Sequence, residues 1–276
     1  MAAHLPEPKL EAQTLDAIPL LTDEALFEKC GVRIAFTSRA GGVSKPPLDA
    51  LNLGINVPDE PECLAENRKR VLGALGVPDM PLVVPKQVHG TEVLQVQGPD
   101  DVARALAVAA QGIDAVVSAA PGVAVQLGFA DCLPLIIVSP SGRFAVAHAG
   151  WRGAVAGIAG IAVRALAEAD AQTGEETLPA QYNAYIGPYI HAECFETGAE
   201  VTDAFIERFG SDVLLDGRVS LAAAVTIDMQ KAGVDIARIA DAGICTKCNP
   251  ETYFSYRATD GACGRQAALA FTLERN

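Results

Sequence analysis

The chain has 276 residues, half of them hydrophobic and a fifth charged, a balance typical of a globular protein with an ample core. Acidic side chains outnumber basic ones by 34 to 21, and the formal charge of −13 repels phosphate backbones and anionic lipid headgroups on average. Composition therefore argues against nucleic acid or a membrane surface as partner, but it leaves open a small anionic substrate held by local arginines.

Residues 1–28 contain prolines and mixed charges, without the basic start and apolar core of a signal peptide. We expect these residues to form a loosely attached arm, followed by a single α+β domain over residues 29–276. No apolar run is long enough to span a bilayer, and seven cysteines without an export signal indicate reduced thiols or ligands. The sequence therefore predicts a cytoplasmic protein.

The first predicted elements are a strand at residues 32–36, where apolar side chains alternate, and a helix at residues 62–75, ended by Gly76 and Pro78. Strands clustered in the middle of the chain, with helices around them, predict an α+β domain with mixed sheets. The remaining predicted strands are residues 82–84, 92–96, 115–117, 123–127, 135–138, 144–147, 184–186 and 268–273. The remaining predicted helices are residues 154–169, 198–209 and 221–232.

Three residues at strand ends carry metal-binding side chains. His89 follows one predicted strand, Cys132 lies between two others, and His148 ends a fourth. Zinc accepts two imidazoles and one thiolate, and three protein ligands leave a fourth position for a reactant. The alternative is that the histidines are hydrogen-bonded packing residues and the cysteine a small buried hydrophobe. Spacing alone does not establish that the three side chains meet.

Arginines recur in glycine-containing loops, which favours a pocket for a phosphate or carboxylate, although a single arginine is more often a surface charge. Arg152 begins a predicted helix, where free backbone N–H groups also attract anions. Arg39, Arg257 and Arg265 lie in comparable loops. The Cys245-Thr246-Lys247-Cys248 motif lacks a second cysteine pair, so we expect loop or packing thiols there.

The ordered motifs from residue 32 onward resemble the laccase-domain family, also called YfiH-like or multicopper polyphenol oxidase-like, which includes purine nucleoside phosphorylases and a peptidoglycan editing factor. The resemblance implies a single domain of mixed sheets sandwiched between helices. It also implies zinc ligands at His89, Cys132 and His148. The motifs are Ser38-Arg39-Ala40-Gly41-Gly42, Leu51-Asn52-Leu53-Gly54, Glu66-Asn67-Arg68, Gln87-Val88-His89-Gly90, Ala130-Asp131-Cys132-Leu133-Pro134, His148-Ala149-Gly150-Trp151-Arg152-Gly153, Ile186-Gly187-Pro188, Cys194-Phe195-Glu196-Thr197-Gly198, Cys245-Thr246 and Phe254-Ser255-Tyr256-Arg257.

The resemblance implies phosphorolysis of adenosine, inosine, guanosine or methylthioadenosine, together with deamination of adenosine. In this hypothesis zinc polarises a substrate group or lowers the pKa of a bound water, and phosphate and a purine nucleoside are the partners of a monomer or homodimer. Ala258 stands where family members usually carry a second basic residue after Arg257. The residues assigned to catalysis are Cys132, Asp131 and Glu196, and those assigned to substrate or phosphate are Arg39, Arg152, Arg257 and Gln87.

Three other functions stay open. A hydrolase that removes wrongly built peptidoglycan precursors would use Cys132 as a nucleophile instead of a ligand. A copper oxidase is less favoured, because the chain has only four histidines and no methionine in the motifs to serve as an axial ligand. A binding protein without catalysis would close the metal site with a fourth ligand, for which Cys194 and His191 are the candidates.

Overall fold

Two six-stranded mixed sheets pack face to face in the computed structural model, which describes residues 4–174 and 177–273. The strands are β1 (Glu11–Leu15), β2 (Ile18–Thr22), β3 (Val32–Thr37), β4 (Leu82–Val83), β5 (Val93–Val96), β6 (Ala115–Ser118), β7 (Ala124–Phe129), β8 (Leu133–Val138), β9 (Phe144–Ala149), β10 (Asn183–Ile186), β11 (Leu214–Leu215), β12 (Arg218–Val219), β13 (Ile239–Asp241) and β14 (Gln266–Thr272). The helices are α1 (Glu24–Cys30), α2 (Pro61–Ala74), α3 (Val102–Ala109), α4 (Trp151–Ala156), α5 (Ile158–Ala171), α6 (Ala199–Phe209) and α7 (Leu221–Lys231).

The first sheet has the order β1-β2-β3-β14-β7-β4, and the second has the order β13-β10-β8-β9-β6-β5. Both are mixed, because β4 and β7 run parallel in an otherwise antiparallel sheet, as do β5 with β6 and β10 with β13 in the other. A short ribbon of β11 and β12 stands apart. The predicted α+β fold with mixed sheets is confirmed.

Alternating side chains of the central strands explain the layering. Along β8, Ile136 and Val138 face the core between the two sheets, whereas Leu135 and Ile137 face a second core formed with α5 and α7. On the far side of the first sheet, α2 covers a third core. Successive side chains of a strand point to opposite faces of the sheet. Because both faces are buried here, these central strands need apolar residues at nearly every position.

The expectation of a loosely attached arm over residues 1–28 is wrong for the described part of that segment. Residues 11–22 form a β-hairpin through β1 and β2, and β2 pairs with β3. Leu5 and Leu26 are fully buried, and the carboxylate of Asp23 caps α1 and accepts a hydrogen bond from the Tyr185 hydroxyl. The hairpin thus completes the edge of the first sheet, and the domain begins before residue 29.

The predicted helix at residues 154–169 is two helices. Gly157 ends α4 in the left-handed conformation, with φ of 86°, before α5 begins. Glycine adopts this conformation without strain, so the alanine-rich pattern continues across the break between the two helices. No helix among residues 4–174 and 177–273 is long and apolar enough to cross a bilayer.

Candidate metal centre

The link between the two sheets brings two of the predicted ligands together. β7 belongs to the first sheet and β8 to the second, and Ala130, Asp131 and Cys132 join them. Pro134 of β8 pairs with His148 of β9, so Cys132 lies two residues from the partner of His148. The same chain crossing therefore fixes a thiol beside an imidazole.

Asp114, just before β6, holds the third ligand in place. Its carboxylate accepts hydrogen bonds from the backbone N–H groups of Val88, His89 and Gly90, at 3.1, 3.0 and 2.7 Å. This network stabilises His89 with φ of 61°, a conformation that costs a side chain bearing Cβ about 1 kcal/mol or more. Asp114 also bonds to Nδ1 of His148 at 2.8 Å. One buried carboxylate thus orients both histidines.

The donor set fits a single zinc ion. One ligand atom from each of His89, Cys132 and His148 lies within 4.8 Å of the others, and the two imidazole rings meet edge to face with centroids 4.7 Å apart. Because Nδ1 of His148 is occupied by Asp114, Nε2 is the nitrogen left for an ion, an arrangement common at metal-binding histidines. The residues present therefore suit zinc.

Gly150 leaves room for one of the rings. A Cβ at this position would lie 2.2 Å from Nδ1 of His89, well inside contact distance. The φ of Gly150 is −67°, which any residue adopts, so the glycine serves the ring and not the backbone conformation.

The two histidines have opposite pKa shifts. Burial, followed by the neighbouring His148, lowers the pKa of His89, which favours the neutral imidazole that binds metals. Burial also acts to lower the pKa of His148, but the charge of Cys132 and the hydrogen bond to Asp114 outweigh it and raise the pKa to about 9. An ion at this site therefore competes with a proton on His148.

The trio lies in a cavity of about 450 Å³. Its wall combines aromatic and aliphatic side chains with three guanidinium groups, a mixture suited to a ligand that has both a flat ring and an anion. The apolar members include Ile55, Trp151, Ile190, Phe195, Leu221 and Tyr256.

Three arginines line this cavity, two of them held by neighbours. Arg152 stacks over Trp151, with its guanidinium carbon 4.3 Å from the ring centroid, and makes no hydrogen bond or ion pair with any described residue. Arg257 donates to the carbonyl oxygen of Glu196 at 3.0 Å, and Arg265 donates to backbone carbonyls of residues 263 and 264. Arg152 is therefore the one with its full set of donors available to a ligand.

Two predicted site residues line the cavity while also bracing its wall. The Gln87 amide exchanges two hydrogen bonds of 2.8 Å with the backbone of Gly128. Asp131, with φ of 83°, accepts 2.6 Å hydrogen bonds from the Thr246 hydroxyl and from the backbone N–H of Arg257. Both residues fix the position of the loops that carry the cavity.

Two further predicted site residues do not line the cavity. Arg39 donates to the carbonyl oxygens of Asp49 and Pro250 and stacks on Phe254, so its guanidinium braces loops. Glu196 is exposed, and its carbonyl oxygen accepts the hydrogen bond from Arg257. Neither Cys194 nor His191 joins the trio as a fourth ligand within the part of the chain that the structure describes.

Sequence reasoning missed Asp114. Its only sequence signal is a carboxylate immediately before the apolar run of β6, which also describes many solvated strand ends. Strand pairing supplies the missing information, because the backbone N–H of His148 donates to the carbonyl oxygen of Asp114 at 2.8 Å.

Comparison with known proteins identifies the family of this chain. The model of a family described as multi-copper polyphenol oxidoreductase laccase matches residues 33–272. The chain belongs to this laccase-domain family. It is 35% identical over 248 residues to "Purine nucleoside phosphorylase YfiH" of Escherichia coli (strain K12), covering 88% of this chain and 95% of that protein.

A "Purine nucleoside phosphorylase" of Deinococcus radiodurans is also 35% identical, over 260 residues that cover 93% of this chain and 94% of the relative. Among solved structures, the Bacillus licheniformis hypothetical protein YfiH superposes with a TM-score of 0.80 at 27% identity, covering 92% of this chain and 96% of the other. The predicted family and its single-domain α+β fold are confirmed.

Proposed function

We propose that this laccase-domain protein is a zinc-dependent purine nucleoside phosphorylase that also deaminates adenosine. The observation that carries the proposal is the meeting of His89, Cys132 and His148 in an arginine-lined cavity. The names of its relatives support an enzyme of this kind. Adenosine, inosine, guanosine and methylthioadenosine are the proposed substrates, and cytoplasmic location and a monomeric or dimeric state stay predictions from the sequence.

The chain's own residues would bind and orient the reactants. Arg152 and Arg257 present guanidinium groups to phosphate, and Arg265 adds positive charge to the same cavity. The faces of Trp151 and Phe195 offer stacking surfaces for a purine. Zinc held by the trio would polarise a substrate group and lower the pKa of a bound water. Holding phosphate and nucleoside together in this way removes much of the entropic cost of their encounter.

Proton handling falls to Asp131 in this proposal. Of the two carboxylates that the sequence indicated, Asp131 lines the cavity and Glu196 does not. Each carboxylate oxygen of Asp131 accepts one hydrogen bond and retains a second lone pair that can accept another.

A nucleoside panel incubated with and without phosphate tests the proposal, with products separated by chromatography. We expect free purine base only when phosphate is present, and inosine from adenosine in its absence. His89→Ala and Cys132→Ala should lose the zinc ion of the trio and, with it, the activity. Full activity in either variant once the trio has lost its zinc, or no base released from any nucleoside, would overturn the proposal.

A second candidate function rests on the order in which three neighbouring side chains lie. Cys132 interacts with the imidazole of His148, whose Nδ1 bonds to Asp114. A thiol, an imidazole and a carboxylate in this order also form a nucleophilic relay, in which the imidazole takes the thiol proton and the carboxylate orients the ring. This arrangement would suit an editing hydrolase acting on peptidoglycan precursors.

Zinc bound by the trio separates the two functions, because a cysteine nucleophile at Cys132 needs no zinc there. If the hydrolase is correct, protein stripped of metal keeps its activity on a precursor and iodoacetamide abolishes it. Elemental analysis in the same experiment also measures copper. We favour zinc over copper because neither Met80 nor Met229 lines the cavity to serve as an axial ligand.

A further inference from the structure

A second group of metal-binding side chains lies outside the trio. Glu193, Cys194, Cys245 and Cys248 each place one ligand atom within 4.8 Å of the others. Two of the thiols come from the Cys245-x-x-Cys248 motif, and the third comes from a segment about fifty residues earlier. The sequence predicted loop or packing thiols here, because the third sulfur is not visible in the local spacing.

Backbone hydrogen bonds pair the two segments that carry the sulfurs. Tyr189 and Cys245 form a parallel β-bridge, with Tyr189 N–H donating to the carbonyl oxygen of Ile244 and Thr246 N–H donating to that of Tyr189. The backbone N–H of His191 donates to Sγ of Cys245 at 3.4 Å. The position of these thiols is thus set by main-chain pairing.

The separations suit one tetrahedral ion. Two sulfurs bound to zinc at about 2.3 Å lie about 3.8 Å apart. Here Sγ of Cys194 and Sγ of Cys248 are 3.4 Å apart, and all four ligand atoms fall within 4.8 Å. A disulfide would engage only two of the three sulfurs, whereas a single ion can take all three together with the Glu193 carboxylate.

We propose that Cys194, Cys245, Cys248 and Glu193 bind a second zinc ion, with three thiolates and one carboxylate as ligands. Four protein ligands make a closed site, which is typical of structural zinc. The ion would clamp two walls of the cavity, because Cys194 precedes Phe195 and Thr246 bonds to Asp131. This inference does not rest on the proposed function.

Zinc measured by elemental analysis of the full chain, purified under reducing conditions from zinc-supplemented medium, tests the site. We expect two ions per chain in the parent and one in the Cys194→Ser/Cys248→Ser double variant. Cys63→Ser is the matched control, because Cys63 is a free, half-buried cysteine outside both groups. It should keep both ions, and His89→Ala/His148→Ala should keep the one at the cysteine site.

Cobalt substitution gives a readout that does not need the cysteine variants to fold. A bound cobalt ion absorbs by thiolate-to-metal charge transfer, in proportion to its cobalt–sulfur bonds. In the His89→Ala/His148→Ala variant, the band should have the intensity of three such bonds per ion. Glu193→Gln should weaken cobalt binding and keep the band.

Three results would overturn the proposal: unchanged zinc in the cysteine double variant, no charge-transfer band in the histidine double variant, or a Cys194–Cys248 disulfide in the reduced preparation. Failure of the proposed function would give a different result. The parent would then hold one zinc ion per chain, and His89→Ala would not remove it.

Discussion

The Asp114→Asn substitution tests how the candidate metal centre is held together. Oδ1 of Asp114 accepts from His89 N–H and His148 Nδ1, and Oδ2 accepts from Val88 N–H and Gly90 N–H. In asparagine an NH₂ group replaces one of these two oxygens. That NH₂ group would face two N–H donors and could not accept a hydrogen bond from either.

Two hydrogen bonds to a fully buried carboxylate are lost. Each contributes about 1.5 to 3 kcal/mol, so the free energy of unfolding should fall by about 3 to 6 kcal/mol before the loop relaxes. Substituting a carboxylate that orients a metal-binding histidine typically lowers metal affinity by about 10- to 100-fold, and we expect a loss of that size in zinc affinity here.

Urea unfolding of the metal-free protein measures the first quantity, and competition with a chromogenic chelator under native conditions measures the second. Asp79→Asn is the control, because Asp79 is exposed and should change neither. If Asp114→Asn keeps the parent's stability and zinc affinity, Asp114 does not organise the site.

Three further predictions concern single side chains. Gly150→Ala should lower zinc affinity about tenfold or more with helix α4 intact, because the new Cβ displaces the His89 ring. Arg152→Met should raise the KM for phosphate about tenfold or more while the Tm stays unchanged, since its guanidinium makes no hydrogen bond with a described residue; Arg164→Met, on the outside of α5, is the control. Burial acts to raise the pKa of Asp170, but hydrogen bonds from four hydroxyl groups outweigh it and lower the pKa below 3.8. The charged carboxylate therefore stabilises the fold fully above about pH 4, and this contribution is lost as the pH falls through the folded-state pKa. Asp170→Asn should be less stable near neutral pH, and urea unfolding between pH 6 and 3 should show the difference from the parent shrinking with acid.

Each of these predictions has a result that contradicts it. Unchanged zinc affinity in Gly150→Ala would contradict the close approach of the ring, and Gly73→Ala, where a Cβ meets nothing within 4 Å, controls for a general effect of the substitution. An equal rise in KM in the Arg152 and Arg164 variants would contradict a local phosphate site. A stability difference for Asp170→Asn that does not vary with pH would contradict the role of its charge.

The central strands were predictable from their short continuous apolar runs, and α2 from the helical spacing of its apolar residues. The helix expected at residues 62–75 is found at Pro61–Ala74, and the strand expected at 144–147 is found at Phe144–Ala149. The N-terminal hairpin was not predictable in this way. Its turn places Asp16 and Ala17 at φ of 43° and 68°, and neither residue type signals a hairpin turn as strongly as Asn-Gly.

The candidate metal ligands stand out by residue type, whereas the residues that orient them do not. His89, Cys132 and His148 bear side chains with few common roles at strand ends, so their chemistry singles them out. Arg39 and Arg152 look alike in the sequence, since both stand in glycine-containing loops, yet Arg39 binds backbone carbonyls and Arg152 faces the cavity. Which arginine is free depends on contacts between distant segments.

The two sheets explain why the site forms at this place. The chain crosses from the first sheet to the second only three residues before β8, so a ligand in that link lies at the seam between both layers. Asp114 enters from β6 and the His89 loop follows β4, which pairs with β7. Strand pairing holds both Asp114 and the His89 loop beside this link. The Asp114 carboxylate can therefore orient the candidate ligands without any local sequence motif. Moving Asp114 by one residue would turn its side chain to the opposite face of the sheet, so the candidate metal centre depends on the register of β6 against β9 as much as on the candidate ligands themselves.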